Sequence, residues 1–147
     1  MPDRDLTKLL VLVSDAYGGR GGIAKFNRDM LASVIEHAQV GSITVLPRVI
    51  VEEMEAVPAG IEFRADVAGS LAKFSAAVVA EMIKGNYDGV ICGHINLLPF
   101  GRALARRRSV PLLLVIHGID AWQPTGRRLT DRSVTSVDRF VVVSDFT

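Results

Sequence analysis

Residues 14–28 read SDAYGGRGGIAKFNR, and this stretch decides the fold of the chain. The unbroken apolar run at residues 9–13 just before it is typical of a strand covered on both faces. After it, apolar side chains recur at helical spacing from about Ile23. The stretch therefore predicts a strand–turn–helix unit, and its turn carries four glycines: Gly18, Gly19, Gly21 and Gly22.

The glycine turn is suited to binding a phosphate or a polar hydroxylated ligand. Glycine accepts positive φ and lets another molecule approach the backbone closely. The first N–H groups of the helix that follows are unpaired and carry a partial positive charge. The first turn of that helix holds no carboxylate and offers Lys25, with Arg28 close behind. The alternative is a purely structural turn that lets the strand and the helix pack closely.

Composition limits the classes of function. A chain of 147 residues is long enough for one domain with its own core. Its 17 basic and 16 acidic residues nearly cancel, which argues against a nucleic-acid-binding surface over the whole protein. The single cysteine, Cys92, is typical of a reducing compartment, and the charged N-terminus is unlike a signal peptide. We expect one soluble, cytoplasmic domain over residues 1–147 that binds no nucleic acid.

Strand and helix patterns alternate along the rest of the chain. Apolar runs predict further strands at residues 42–46, 61–67, 88–93, 111–117 and 139–143. Helices are predicted from about residue 23 to a stop at Gly41, from an N-cap at Ser70 to Gly85, and over residues 97–108 and 129–137. The second helix presents an apolar stripe that consists of Leu71, Phe74, Val78 and Met82.

This alternation predicts a Rossmann-like, doubly wound α/β fold, with a mainly parallel sheet and helices on both faces. Its usual strand order is 3-2-1-4-5-6, which reverses between the first and fourth strands. His94 follows the fourth strand and His117 follows the fifth. Because ligands bind at the carboxyl edge beside this reversal, we expect both histidines and the glycine turn to meet there.

Two other interpretations of the same pattern stay open. Residues 19–24 match the dinucleotide fingerprint G-x-G-x-x-A, although residues 15–18 lengthen the loop and no acidic residue follows the second strand. Arg48 stands there instead and could meet the extra phosphate of NADP. A non-enzymatic α/β domain that dimerises is the other interpretation, since the chain stops soon after an apolar strand with no helix to cover it.

Cys92 is expected in the core rather than as a nucleophile, because it lies in an apolar strand. His94, His117 and Asp120 lack the compact spacing of metal ligands, so no metal site is predicted.

Four segments, in order, resemble the N-terminal domain of retaining GT-B glycosyltransferases, the group called glycosyltransferase family 4. The first is the Gly-Gly-Ile-Ala of residues 21–24, which opens the first helix. The second is the Tyr-Asp-Gly-Val-Ile of residues 87–91, which leads to His94. The third is Val-Pro at residues 110–111, which leads to the His-Gly-Ile-Asp-Ala-Trp of residues 117–122. The fourth is the Val-Asp-Arg-Phe-Val-Val-Val-Ser of residues 137–144.

The resemblance implies a role for several residues. In that family the N-terminal domain mainly binds the acceptor and a C-terminal domain holds the nucleotide sugar. Gly21 and Gly22, with Lys25 nearby, would then approach the donor phosphate or sugar, and His117 would be the catalytic residue beside the donor sugar. The acceptor side would be lined by Asp15, Tyr17, His94 and Asp120. Ser144 would lie at the cleft edge.

The resemblance also implies partners. The chain would be the acceptor lobe of a larger transferase whose C-terminal domain is not in these residues. It would need a nucleotide sugar as co-substrate, no metal, and a glycan or glycolipid acceptor. The isolated chain would fold but would not catalyse sugar transfer. The basic run Arg106, Arg107 and Arg108 is either a solvated helix end or a patch for anionic lipid at the inner membrane face.

Overall fold

The computed structural model describes residues 6–118 and 122–143 of the chain. In these residues the sheet strands are β1 (Thr7–Val13), β2 (Val40–Pro47), β3 (Ile61–Phe63), β4 (Gly89–Cys92), β5 (Leu112–Ile116) and β6 (Arg139–Val142). The α-helices between them are α1 (Gly22–Ile35), α2 (Leu71–Lys84), α3 (Leu98–Arg108) and α4 (Arg128–Val134). Short 3-10 turns at Ala65–Val67 and Ile95–Leu97 precede α2 and α3.

The six strands form one parallel sheet in the order β3-β2-β1-β4-β5-β6. This is the doubly wound order, so the predicted fold class and the reversal between β1 and β4 are both confirmed. The register aligns one buried row across four strands, and this row consists of Leu46, Leu12, Cys92 and Leu114.

Helices pack on both faces of the sheet. The buried row faces α2 and α3, and it joins Phe74, Leu98 and Leu104 in the larger core. On the other face α1 covers β1, β2 and β3 through Leu31 and its neighbours. The carboxyl ends of all strands point to one edge, where the loops that enter the helices lie.

The first helix is shorter than predicted. It ends at Ile35, and the polar residues after it turn directly into β2, so Gly41 is a strand residue and not a helix stop. A side chain could not replace the hydrogen of Gly41, because its Cβ would lie 2.6 Å from the Cβ of Leu6. The glycine therefore serves strand packing rather than helix termination.

The predictions around the third strand and the second helix need two corrections. Only Ile61–Phe63 pairs with β2, and the residues after it form a 3-10 turn held by the Arg64–Asp66 ion pair. Ser70 caps α2 as predicted, accepting a hydrogen bond from the Lys73 amide at 3.4 Å. Leu71, however, is 55% exposed, because the first helical position extends past the sheet to the carboxyl edge.

Candidate functional site

The site lies where the sheet reverses, between the ends of β1 and β4. The amide of Gly93 donates to the carbonyl oxygen of Leu12 at 2.7 Å, which sets the residues after β4 beside β1. A Cβ at Gly93 would lie 2.9 Å from that same oxygen. Glycine is thus required for this close approach, which places His94 beside the glycine turn.

His94 and His117 come together at this edge, as the strand order predicts. Their ring centroids are 6.2 Å apart and the ring planes are inclined by 23°. The Nε2 atom of His117 lies 2.8 Å from the carbonyl oxygen of Gly93. A carbonyl only accepts hydrogen bonds, so Nε2 carries the proton and, in the neutral ring, Nδ1 is an acceptor. Within the described residues this Nδ1 has no partner.

His94 adopts a matching tautomer. Its Nδ1 accepts a hydrogen bond from the amide of Asn96 at 3.1 Å, which caps the 3-10 turn before α3. Nε2 is then the protonated nitrogen of the neutral ring. The Nδ1 atom of His117 therefore remains as a hydrogen-bond acceptor in the neutral ring, and it can accept a hydrogen bond from a sugar hydroxyl.

The N-terminal part of helix α1 lies near the histidines, because Phe26 of this helix contacts His117. The Phe26 ring meets the His117 ring edge-on, with centroids 5.3 Å apart. The N-cap of this helix is Gly21, which has no side chain to cap it, and the first turn contains no acidic residue. The first intrahelical hydrogen bond joins the Lys25 amide to Gly21 at 3.0 Å. The earlier amides of the helix therefore have no intrahelical acceptor and favour an anion.

The four glycines of the turn divide into two pairs. A Cβ at Gly18 would lie 2.5 Å from Ile50, and a Cβ at Gly19 would lie 1.9 Å from the Asp15 carboxylate. By contrast, a Cβ at Gly21 or Gly22 would meet no atom within 4 Å. The first pair is needed for packing, and the second pair borders open space at the start of α1.

The side chain of Arg28 binds backbone carbonyl groups of the glycine turn. Its Nη1 atom donates to the carbonyl oxygens of Ala16 and Gly19, both at 2.6 Å, and its Nε atom lies 3.4 Å from Glu55. These contacts occupy Nη1 and Nε within the turn, and the expectation that Arg28 supports an anion site stays a prediction. Lys25 is exposed and pairs with Asp29 at 2.5 Å on the next turn of the helix.

Asp15 and Tyr17 are buried inside the turn. Asp15 is buried and accepts a hydrogen bond from the Ala16 amide at 2.6 Å, and burial raises the pKa of its carboxyl group. Tyr17 is 3% exposed and packs edge-on against Phe63, with centroids 5.3 Å apart. In this arrangement neither side chain offers a surface to an acceptor.

The other predicted site residues, Asp120 and Ser144, lie outside the described residues. Among residues 6–118 and 122–143, no three His, Cys, Asp or Glu side chains are grouped so as to hold a metal ion. Within the same residues no helix has the length and apolar character needed to cross a membrane.

Comparison with known proteins adds little to this picture. No protein-family model matches the chain, and no curated protein is similar to it. Among solved structures, a protein of unknown function from Vibrio parahaemolyticus is similar at 13% sequence identity, with a TM-score of 0.47 over 99% of this chain and 98% of that chain.

Proposed function

We propose that this chain is the acceptor-side lobe of a retaining glycosyltransferase, which transfers a sugar from a nucleotide sugar to a glycan or glycolipid. One observation carries the proposal: the His94–His117 pair stands beside the uncapped N-terminus of α1, at the point where the sheet reverses. This arrangement sets the acceptor nitrogen of His117 next to anion-binding amides, and a nucleotide sugar carries both a hydroxyl and a phosphate group.

Each part of the site has a task in that reaction. The bond between the anomeric carbon and the diphosphate oxygen breaks, a bond to the acceptor oxygen forms, and the proton of the acceptor hydroxyl passes to an oxygen of the leaving diphosphate. Negative charge develops on the leaving diphosphate, where the amides of Gly22 and its neighbours would stabilise it, with Lys25 nearby. The acceptor nitrogen of His117 would hold a hydroxyl of the donor sugar at the reaction centre.

The proposal assigns the donor nucleotide to a second domain, so the isolated chain should turn over no nucleotide sugar. It also places the protein in the cytoplasm or at the inner face of the membrane, where nucleotide sugars are available. Sugar transfer catalysed by residues 1–147 alone would contradict the assignment of the donor nucleotide to a second domain.

Activity of the natural protein that contains this domain tests the proposal. His117→Asn should lower kcat for sugar transfer by about 100-fold or more, the size expected when one positioned polar group is removed from a reaction centre. His37→Asn is the matched control, because His37 is exposed beyond the far end of α1. A folded His117→Asn protein with unchanged kcat would rule out this role.

A second candidate, dimerisation, is favoured by the exposed edge strand β6. All four of its residues are exposed, including Phe140 and Val142, and its outer edge has no strand partner in the described residues. Unpaired apolar edges promote strand pairing between copies. Sedimentation analysis should then show a dimer that Val142→Lys converts to a monomer. A monomeric wild-type chain would exclude this candidate.

A further inference from the structure

A cavity of about 620 Å³ opens at the carboxyl edge of the sheet, on the face opposite α1. Its walls come from the residue after β2, the start of α2, the turn before α3 and the start of α4. Three arginines line it, Arg48, Arg127 and Arg128, which we call the groove arginines. Segments that are far apart in sequence thus bring three positive charges to one cavity.

The groove arginines form no ion pair within the described residues, unlike Arg20, Arg28 and Arg64. In the described part of the chain, the ion pairs of arginine are made by Arg20, Arg28 and Arg64, and no carboxylate lines the cavity. Within the same described residues, the side chains of the groove arginines also form no hydrogen bond. Guanidinium groups bind phosphate through paired N–H donors. Three unpaired guanidinium groups around one cavity therefore favour a phosphate-bearing ligand.

Apolar side chains line the same cavity. Leu71 is 55% exposed and Leu129 is 69% exposed, and Phe100 is partly buried and packs against the larger core. When a ligand covers apolar side chains as exposed as these, their removal from water contributes favourably to the free energy of binding. An inorganic anion would contact the arginines only, whereas a phosphate ester with an apolar chain would contact both.

The cavity adjoins the histidine site. Asn96 lines the cavity, and its amide is the donor that binds Nδ1 of His94. The cavity therefore borders the carboxyl edge where His94 and His117 lie.

We propose that the groove arginines bind the phosphate of an amphipathic phosphate ester, whose apolar chain lies along Leu71, Phe100 and Leu129. This site goes beyond the proposed function and needs no transfer activity. If the proposed function also holds, the acceptor is a lipid phosphate, and this last step alone rests on the proposed function.

Calorimetric titration of the chain with three probes tests the site. The probes are farnesyl phosphate below its micelle concentration, inorganic phosphate, and farnesol, which lacks the phosphate. We expect farnesyl phosphate to bind at least about tenfold more tightly than inorganic phosphate, equivalent to about 1.4 kcal/mol. Farnesol should not bind measurably. Equal affinity for farnesol and its phosphate would overturn the assignment, and so would equal affinity for the two phosphates.

Charge-matched variants then locate the site. Changing all three groove arginines to Gln should weaken farnesyl phosphate binding by at least about 30-fold, because charge-assisted hydrogen bonds to phosphate are lost. The control changes three exposed arginines elsewhere to Gln, Arg20, Arg106 and Arg107, and should change the affinity by less than about twofold. Similar losses in both triple variants would mean a general attraction of anions and would overturn the site.

Further measurements separate the possible outcomes. The single variant Arg127→Gln alters one exposed side chain, so its expected weaker binding cannot come from unfolding. The farnesyl phosphate titrations contain no nucleotide sugar and measure no turnover, so their outcome is separate from the kcat of His117→Asn, and failure of the groove is distinguished from failure of the proposed transfer activity. Tighter binding of NADP than of farnesyl phosphate would replace the lipid assignment with a dinucleotide one.

Discussion

The Nε2 atom of His117 lies 2.8 Å from the carbonyl oxygen of Gly93, which joins the ends of β5 and β4 across the candidate site. The same residue, Gly93, is held to the end of β1 through its amide. One glycine between two strands therefore fixes both the position and the tautomer of the histidine. The nitrogen that remains, Nδ1, is left as the hydrogen-bond acceptor in the neutral ring.

Gly19→Ala should destabilise the fold, because its Cβ would lie 1.9 Å from the Asp15 carboxylate and 3.4 Å from Ala24. Relief of this overlap needs movement of a buried loop, so we expect the free energy of unfolding to fall by about 1–3 kcal/mol. Urea denaturation measures the change. Gly22→Ala is the control, since a Cβ there meets open space. Equal losses from both substitutions would contradict the division of the turn into packing and open glycines.

Arg28→Gln should loosen the glycine turn. The guanidinium group donates to two loop carbonyls and its side chain is 19% exposed. Loss of these hydrogen bonds should lower the free energy of unfolding by about 1–3 kcal/mol. Arg20→Gln provides the comparison, because Arg20 is 81% exposed and its pair with Glu52 is long, at 3.9 Å. That change should cost less than about 0.5 kcal/mol. An equal effect of the two variants would argue against Arg28 as the anchor.

The stability contributed by Asp15 should depend on pH. Burial raises the pKa of this carboxyl group above its ordinary value of 3.8, so ionisation costs more in the folded state than in the unfolded state. The wild type should therefore lose stability relative to Asp15→Asn as pH rises through the raised pKa. Urea denaturation of both proteins from acid to neutral pH measures this difference. A difference that is constant or moves the other way would contradict the burial of an ionisable Asp15.

Cys92 should be inert in the folded protein. Its side chain is buried in the row that spans the sheet, and burial raises the pKa of the thiol to about 12. Because the thiolate is the reactive form, a thiol reagent at about pH 8 should modify Cys92 only after unfolding. Reaction within seconds in the absence of denaturant would restore the thiol as a candidate nucleophile.

The sequence predicts the sheet well because its signals are local and repeated. Apolar runs and glycine turns alternate, and the doubly wound order then brings His94 and His117 to one edge. The burial of Tyr17 could not be predicted in this way. It depends on Phe63, which approaches from a strand far along the chain.

Arg28 and the groove arginines show the same limit for charged residues. In the sequence Arg28 is one more cation after a glycine loop, but the fold turns its side chain back onto loop carbonyls. Arg48 and Arg127 are separated by more than half of the chain, and only the packing of α2, α3 and α4 places them around one cavity. No spacing rule connects such residues.

The most direct test of the central claim is a nitrogen–proton NMR titration of the chain with nucleotide sugars, with UDP-glucose and GDP-mannose as the first probes. Because the proposed lobe binds the donor only in part, the account predicts weak binding in fast exchange. Amide shifts should centre on Gly21, Gly22 and His117 and should shrink in His117→Asn but not in His37→Asn. If neither nucleotide sugar shifts these amides, or if the shifts lie away from the His94–His117 edge, the glycosyltransferase assignment is contradicted.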